Sequence, residues 1–245
     1  MIKTSNLAIV IITKNEEKNL DRLLKNIKHF SENIIVVDSF STDNTEKVAK
    51  SYNTKFIKNK FINFGKQWNF AISNVPKEIQ WTMKLDADEF LSDELKLNIY
   101  KELNDRNSFN HYYLKRKNYF LGKPILIKDN ILRIWKTGSV KFSNVEVNEH
   151  PIISGKSKII KGDLLHFDSN SFREWINKQN FYSDLELRLR VNNLNFAAKP
   201  KIFGNKLERR MFFKKYFYKL PLRYHLFFIY NFFFIRRLEI RNSWI

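Results

Sequence analysis

The chain has 245 residues, 43% of them hydrophobic, enough for one large α/β domain or one domain with an appendage. Cysteine is absent, which excludes disulfides and thiolate zinc sites and fits a reducing, cytoplasmic setting. The formal net charge of +19 calls for an anionic partner: nucleic acid, an acidic membrane surface or a phosphorylated substrate.

Leu7 to Thr13 is a continuous β-branched apolar run, which predicts a parallel strand covered on both faces. No small-residue cleavage site follows it, so it reads as a first strand and not a signal peptide. Leu20, Leu23, Leu24 and Ile27 fall at the spacing of one buried helical stripe. Asn33 to Asp38 is a second such strand. Asp43 with Glu46 resembles a capping box opening a helix through Val48 and Ala49. Thr54 to Lys58 predicts a third strand, and Phe64, Trp68, Ala71 and Ile72 another helical stripe. Trp81 to Leu85 is the fourth strand. It runs into Asp86, Asp88 and Glu89.

Clustered acids at the end of an apolar strand repel one another, and removing them from water is costly without a cation. A hard divalent metal bound through oxygen is the natural compensation. A solvated turn, with Asp88 or Ser92 capping a helix, is the plainer reading of Asp-x-Asp alone. The alternation of strands and helices predicts βαβ units and a parallel sheet, whose ligands bind outside the carboxyl ends of the strands. Those ends carry Thr13 to Glu16, then Asp38 and Ser39, then Asp86 to Glu89. Three strand ends delivering polar groups to one rim predict a ligand site.

Only six glycines occur, and no Gly-x-Gly-x-x-Gly follows the first strand, which argues against a usual dinucleotide fold. The absence of Gly-x-Ser-x-Gly and His-Glu-x-x-His argues against a serine hydrolase and a zincin. Leu95 and Ile99 predict a helix after Ser92. Tyr112 to Lys117 and Ile131 to Lys136 read as strands, with Gly122-Lys123-Pro124 as a turn. Glu149 reads equally as an exposed strand-end acid, and His166 alone as a partly buried core residue. Ser171 and Glu174 form a capping box for a helix carrying Lys178 and Tyr182 one turn apart.

Taken together, these stretches resemble family 2 glycosyltransferases, and more narrowly the bacterial lipopolysaccharide or lipooligosaccharide core β-glucosyltransferases. The matching stretches are Ile11 to Glu17, Val36 to Thr45, Gly65 to Ala71, Lys84 to Glu89, Val147 to His150 and Leu164 to His166, with the Ser171 to Tyr182 helix. Asn148 stands where members usually show a histidine, and the glycine-rich Leu-Asp-Gly segment of many members is absent.

The resemblance implies a single GT-A domain, a nucleotide-sugar-binding, Rossmann-like α/β fold with a mostly parallel central sheet, over 1–204. It implies an inverting transfer, Mg2+ or Mn2+ as cofactor, and UDP-glucose as donor. Carried over, Thr13, Asn15, Glu16, Asp38 and Gln67 would bind the nucleotide sugar, and Asp86 would face the ribose. Asp88 would hold the metal, with His166 completing its shell. Glu149 would be the catalytic base, with His150 and Asp163 as substitutes. Lys178 and Tyr182 would contact the acceptor, a lipopolysaccharide-core or other lipid-linked saccharide.

From residue 205 onward, arginines and lysines such as Arg209, Arg210, Lys214 and Lys215 interleave with a dense aromatic set. The apolar stretch Leu226 to Ile235 is about half of the roughly 20 residues a spanning helix needs. The expectation for 205–245 is a helical tail, either packed on the domain or lying in an anionic membrane surface, with the second favoured. That places the chain in the cytoplasm, peripheral on the inner face of the cytoplasmic membrane. Two rival readings are a nucleic-acid-binding protein and a non-catalytic membrane-associated scaffold. The acidic rim opposes nucleic acid as a partner, and intact Asp86, Asp88 and Glu149 oppose the scaffold.

Overall fold

A central strand, β1 (Leu7–Thr13), shows why the first half of the chain folds as it does. Its residues alternate between two cores. Leu7, Ile9 and Ile11 enter one, with Leu20, Leu23, Leu24 and Ile27 of helix α1 (Glu17–Ile27). Ala8 and Val10 enter the other, with Trp68 and Ala71 of helix α3 (Phe64–Ser73). A strand buried on both faces must read as a continuous apolar run.

The computed structural model describes residues 3–105, 109–143, 151–169, 171–191, 199–204, 206–217, 221–222 and 225. The chain divides into two compact units, Met1–Asn192 and Asn193–Ile245.

In the first unit, β1 pairs in parallel with β2 (Asn33–Asp38) and with β4 (Trp81–Asp86), and β2 with β3 (Lys55–Lys58). The register sets Thr13 opposite Asp38 and Ile12 opposite Asp86, so the three strands end at one level. Beyond β4 the sheet becomes mixed. β4 meets β7 (Lys123–Lys136) antiparallel, β7 forms a hairpin with β6 (His111–Phe120), and β6 runs parallel to β10 (Ser157–Phe167). The short β5 (Glu89–Leu91) closes the order β3-β2-β1-β4-β7-β6-β10-β5, pairing antiparallel with β10. A second, two-stranded sheet pairs β8 (Lys141–Phe142) with β9 (Pro151–Ile152).

Helix α4 (Asp93–Asn104) starts at Ser92, whose hydroxyl accepts from Leu95 N at 3.2 Å. Gly162 lets β10 approach this first turn: at φ +106, a Cβ there would lie 2.7 Å from the Leu95 backbone. Helix α5 (Phe172–Val191) likewise begins with Ser171 Oγ accepting from Glu174 N at 3.2 Å.

Two local expectations are corrected. Asp43 and Glu46 do not form a capping box at α2 (Thr45–Ser51). Asp43 instead accepts from Thr45 N and Glu17 N, joining two helix starts, while Glu46 pairs with Lys50 and Lys58. The β6–β7 turn is Leu121-Gly122, both at positive φ, and not Gly122 to Pro124. Phe120 faces Lys123 and Tyr119 faces Pro124, so Lys123 and Pro124 already belong to the strand.

In the second unit, α6 (Lys206–Phe217) carries the basic aromatic composition expected of a tail. Lys201 pairs with Glu208 at 3.4 Å within that unit. The apolar stretch 226–235 lies outside the described residues.

Candidate active site at the strand-end rim

The first strand ends build a hydrogen-bonded shelf. Thr13 Oγ1 donates to Asp38 Oδ1 at 3.0 Å, and Ser41 N donates to Asp38 Oδ2 at 2.8 Å. Asn15, at φ +56, accepts from Thr42 N at 2.8 Å through its side chain, while its backbone N donates to Ser41 Oγ at 2.7 Å. Asparagine is among the residues that tolerate this left-handed conformation. Gln67, buried on α3, donates to Ser39 Oγ at 3.1 Å and accepts from Asn59 at 2.8 Å. Thr13, Asn15, Asp38 and Gln67 thus gather around the end of β2.

Asp86 and Glu89 share a buried arginine. Arg133 Nη2 donates to Asp86 Oδ2 at 2.5 Å and to Glu89 Oε1 at 2.6 Å, and Asp86 N donates to Glu89 Oε2 at 3.0 Å. Arg133 reaches them because β7 bulges: Tyr112 faces Ile134 and Tyr113 faces Leu132, leaving Arg133 without a cross-strand partner. A bulged residue is re-aimed out of the strand's alternation. Burial would raise the Asp86 carboxyl, but Arg133 outweighs it and holds Asp86 far below the usual carboxylate range. Glu89, wholly buried, stays raised by burial despite the same arginine.

Asp88 takes a separate set of partners. β5 pairs with β10 so that Glu89 faces His166, and Phe167 N donates to Asp88 O at 2.9 Å. That register brings Asp88 Oδ2 to 3.3 Å from His166 Nε2. Lys178 Nζ, arriving from α5, lies 3.2 Å from Asp88 Oδ2 and 2.8 Å from Asp168 Oδ1. Burial raises the Asp88 carboxyl, but His166 and Lys178 together bring it below its ordinary value. Burial lowers His166, and Asp88 more than reverses this, leaving it raised. Lys178 is also raised, its burial outweighed by Asp88 and Asp168.

Glu16 belongs electrostatically to this second cluster. Burial, with the charge of Asp88 adding to it, pushes Glu16 up to about 7 against the Asn19 amide, which donates at 2.8 Å.

Asp88, His166 and Asp168 each offer one ligand atom, all within 4.8 Å of one another. Two carboxylates and an imidazole suit a divalent ion. His166 Nδ1 lies 3.0 Å from Asn118 Oδ1, a contact that fixes the ring and turns Nε2 toward Asp88. The Lys178 ammonium already stands between the two carboxylates as a cation. The residues therefore fit the metal that the sequence resemblance implies.

Tyr182, one turn beyond Lys178, packs its ring against Phe64 at 6.3 Å. Glu149 and His150 lie outside the described residues. Asp163 alternates to the face of β10 opposite His166. Sequence reading missed Asp168 and Arg133. Asp168 stands two residues after His166, a His-x-Asp spacing visible in the chain. Arg133 interrupts the apolar run Ile131 to Trp135, which marks it as a cation bound for the interior.

Comparison with known proteins bears on the family and the fold. The chain is 29% identical over 192 residues to an uncharacterized glycosyltransferase of Rickettsia typhi, a match covering 72% of this chain and 65% of that protein. This chain thus spans slightly under two thirds of the length of that relative. It is 26% identical over 214 residues to the lipopolysaccharide core biosynthesis glycosyltransferase LpsC of Rhizobium meliloti, covering 83% of this chain and 77% of that protein. The crystal structure of S. aureus TarS 1-349 superposes with a TM-score of 0.50 at 16% identity, over 66% of this chain and 60% of that one. Its likeness supports the fold, a GT-A-like α/β fold with a mixed sheet. The model for glycosyl transferase family 2 matches residues 8–165, from the first core strand to the residue before His166. That match covers more than half of the sequence, and the chain belongs to glycosyl transferase family 2.

Proposed function

We propose that the protein is an inverting, metal-dependent glycosyltransferase. It moves glucose from UDP-glucose to a hydroxyl of a lipopolysaccharide-core or other lipid-linked saccharide. The observation that carries this reading is the donor set of Asp88, His166 and Asp168 on the same rim as Thr13, Asp38 and Asp86. The relationship to LpsC supports the choice of acceptor.

Transfer breaks the bond between the anomeric carbon and the nucleoside diphosphate, so negative charge grows on the leaving group. Asp88, His166 and Asp168 would hold Mg2+ or Mn2+, which when bound supplies charge neutralisation at the diphosphate. The chain's residues supply the rest. Thr13, Asn15, Glu16, Asp38 and Gln67 bind the nucleotide. Asp86, kept ionised by Arg133, accepts from ribose hydroxyls. Glu149 takes the proton of the attacking hydroxyl on the face opposite the leaving group, so one displacement inverts the anomeric centre. Lys178 and Tyr182 belong to the acceptor side.

The net charge of +19 and the basic aromatic tail favour residence on the anionic inner face of the cytoplasmic membrane, with no role for nucleic acid. Among the described residues, no helix is long and apolar enough to cross a membrane. The test is donor hydrolysis across nucleotide sugars with manganese, with and without deacylated core saccharide. Glu149→Gln is expected to keep donor binding and lose transfer; full turnover by that variant removes Glu149 from the mechanism.

A further inference from the structure

The β6–β7 hairpin tip and the first turns of α5 take no part in the rim chemistry, yet they share one exposed apolar patch. Leu121 is 44% exposed at the tip, and Ile125 stands exposed on the same hairpin. From α5, Phe172 is 60% exposed and Ile176 is exposed beside it. Trp175 joins the two elements: its ring meets Phe120 edge-on at 5.8 Å and stacks on Phe172 at 5.6 Å.

Leu121 sits at φ +49, a left-handed conformation in which a branched side chain is disfavoured and for which such turns ordinarily select Asn or Gly. An apolar side chain is thus held out to solvent, at a conformational cost, by a turn that would form more readily without it. Lys123 lies between Leu121 and Ile125 in the chain and Arg173 follows Phe172, both exposed, against the exposed Glu174. Asp129, further along β7, is matched by Arg116 at 3.3 Å.

We propose that this patch seats in the headgroup layer of an anionic membrane, independently of the tail. Aliphatic and aromatic side chains with exposed cations beside them in the chain match that layer in both polarity and charge. A saccharide fits less well, because Phe172 and Trp175 stack on each other and Leu121, Ile125 and Ile176 offer no ring face. The contact goes beyond the transfer reading and stands without it. It also has a geometric consequence: Trp175 lies one helical turn before Lys178, whose Nζ is 3.2 Å from Asp88, so the seated patch faces the rim toward the lipid surface.

The chain's lack of cysteine makes the test direct. Leu121→Cys in the full chain carries an environment-sensitive fluorophore, with Ser51→Cys on α2 as control. Phosphatidylcholine vesicles containing about one third phosphatidylglycerol are the probe. The expected result is a blue shift at position 121, quenched by spin-labelled lipid, and none at position 51. Unlabelled Leu121→Ser/Ile125→Ser should lose about tenfold in vesicle affinity while donor hydrolysis in solution is unchanged. An unshifted probe at 121 on chain that co-sediments with the vesicles would overturn the proposal, placing the contact elsewhere. A blue shift that needs no vesicles and grows with protein concentration would also overturn it, in favour of a second copy of the chain.

Discussion

Asp86 and Asp88 are two residues apart and meet opposite kinds of cation. Asp86 shares Arg133, whose side chain is 6% exposed, with the fully buried Glu89. Asp88 meets Lys178, which is 32% exposed and stands on the separate helix α5. A guanidinium forks between two carboxylates and does not deprotonate, so the first group acts as a fixed clamp. An ammonium on a four-carbon stem is a mobile point charge, so the second group is a cation site whose occupant can leave. The difference makes Asp86 a carboxylate held in one place for the ribose it is proposed to bind, and Asp88 one whose cation can be exchanged.

Breaking the clamp should have the largest effect. Arg133→Met leaves Glu89 buried without its cation, and unfolding free energy from denaturant titration should fall by about 3–5 kcal/mol. Asp88→Asn, by contrast, should leave denaturation nearly unchanged and lower transfer more than about 100-fold, since changes merely behind a ligand already cost 10–100-fold. Comparable destabilisation by the two variants would erase the distinction between the groups.

Lys178→Met sharpens the comparison from the other side. It removes the resident cation, so Mn2+ titrated into the chain alone, read by electron paramagnetic resonance, should bind about tenfold tighter, a gain of about 1.4 kcal/mol. Weaker binding would make Lys178 a supporting group and not a competitor.

The most gradual effect, spread over a pH window, concerns Glu16. Its folded value is raised from 4.5 to about 7, so between those values the folded chain holds a proton that the unfolded chain has released. Stability should therefore fall as pH rises from about 4.5 to about 7. Glu16→Gln should flatten that slope in thermal melts across the window.

Much of the first half was legible in the chain. Strands buried on both faces write themselves as apolar runs, so β1, β2 and β4 and the acids at their ends were readable from Leu7, Asn33 and Trp81 onward. The meeting of Asp88 with His166 was not readable from spacing, because it depends on the pairing of β5 with β10 across a long sequence separation; resemblance alone suggested it. Arg133 stayed hidden for a different reason. A bulge breaks the alternation by which inward and outward positions are counted, and only the ladder shows where it falls. The Leu121-Gly122 turn was read one residue late because leucine carries no turn signature.

The pairing that joins Asp88 to His166 spans only Glu89–Leu91 at the edge of the sheet. So short a ladder is a weak tie on its own; Glu89 is held by Arg133 and the Leu91 backbone by Asn26, so Asp88 stays beside His166 through these side chains. Amide hydrogen exchange at Phe167, whose N–H is held by Asp88, should therefore quicken in Arg133→Met while β1 stays slow. A cation bound by Asp88, His166 and Asp168 would tie the same corner a second time, so loading the site and stiffening this corner would be a single event.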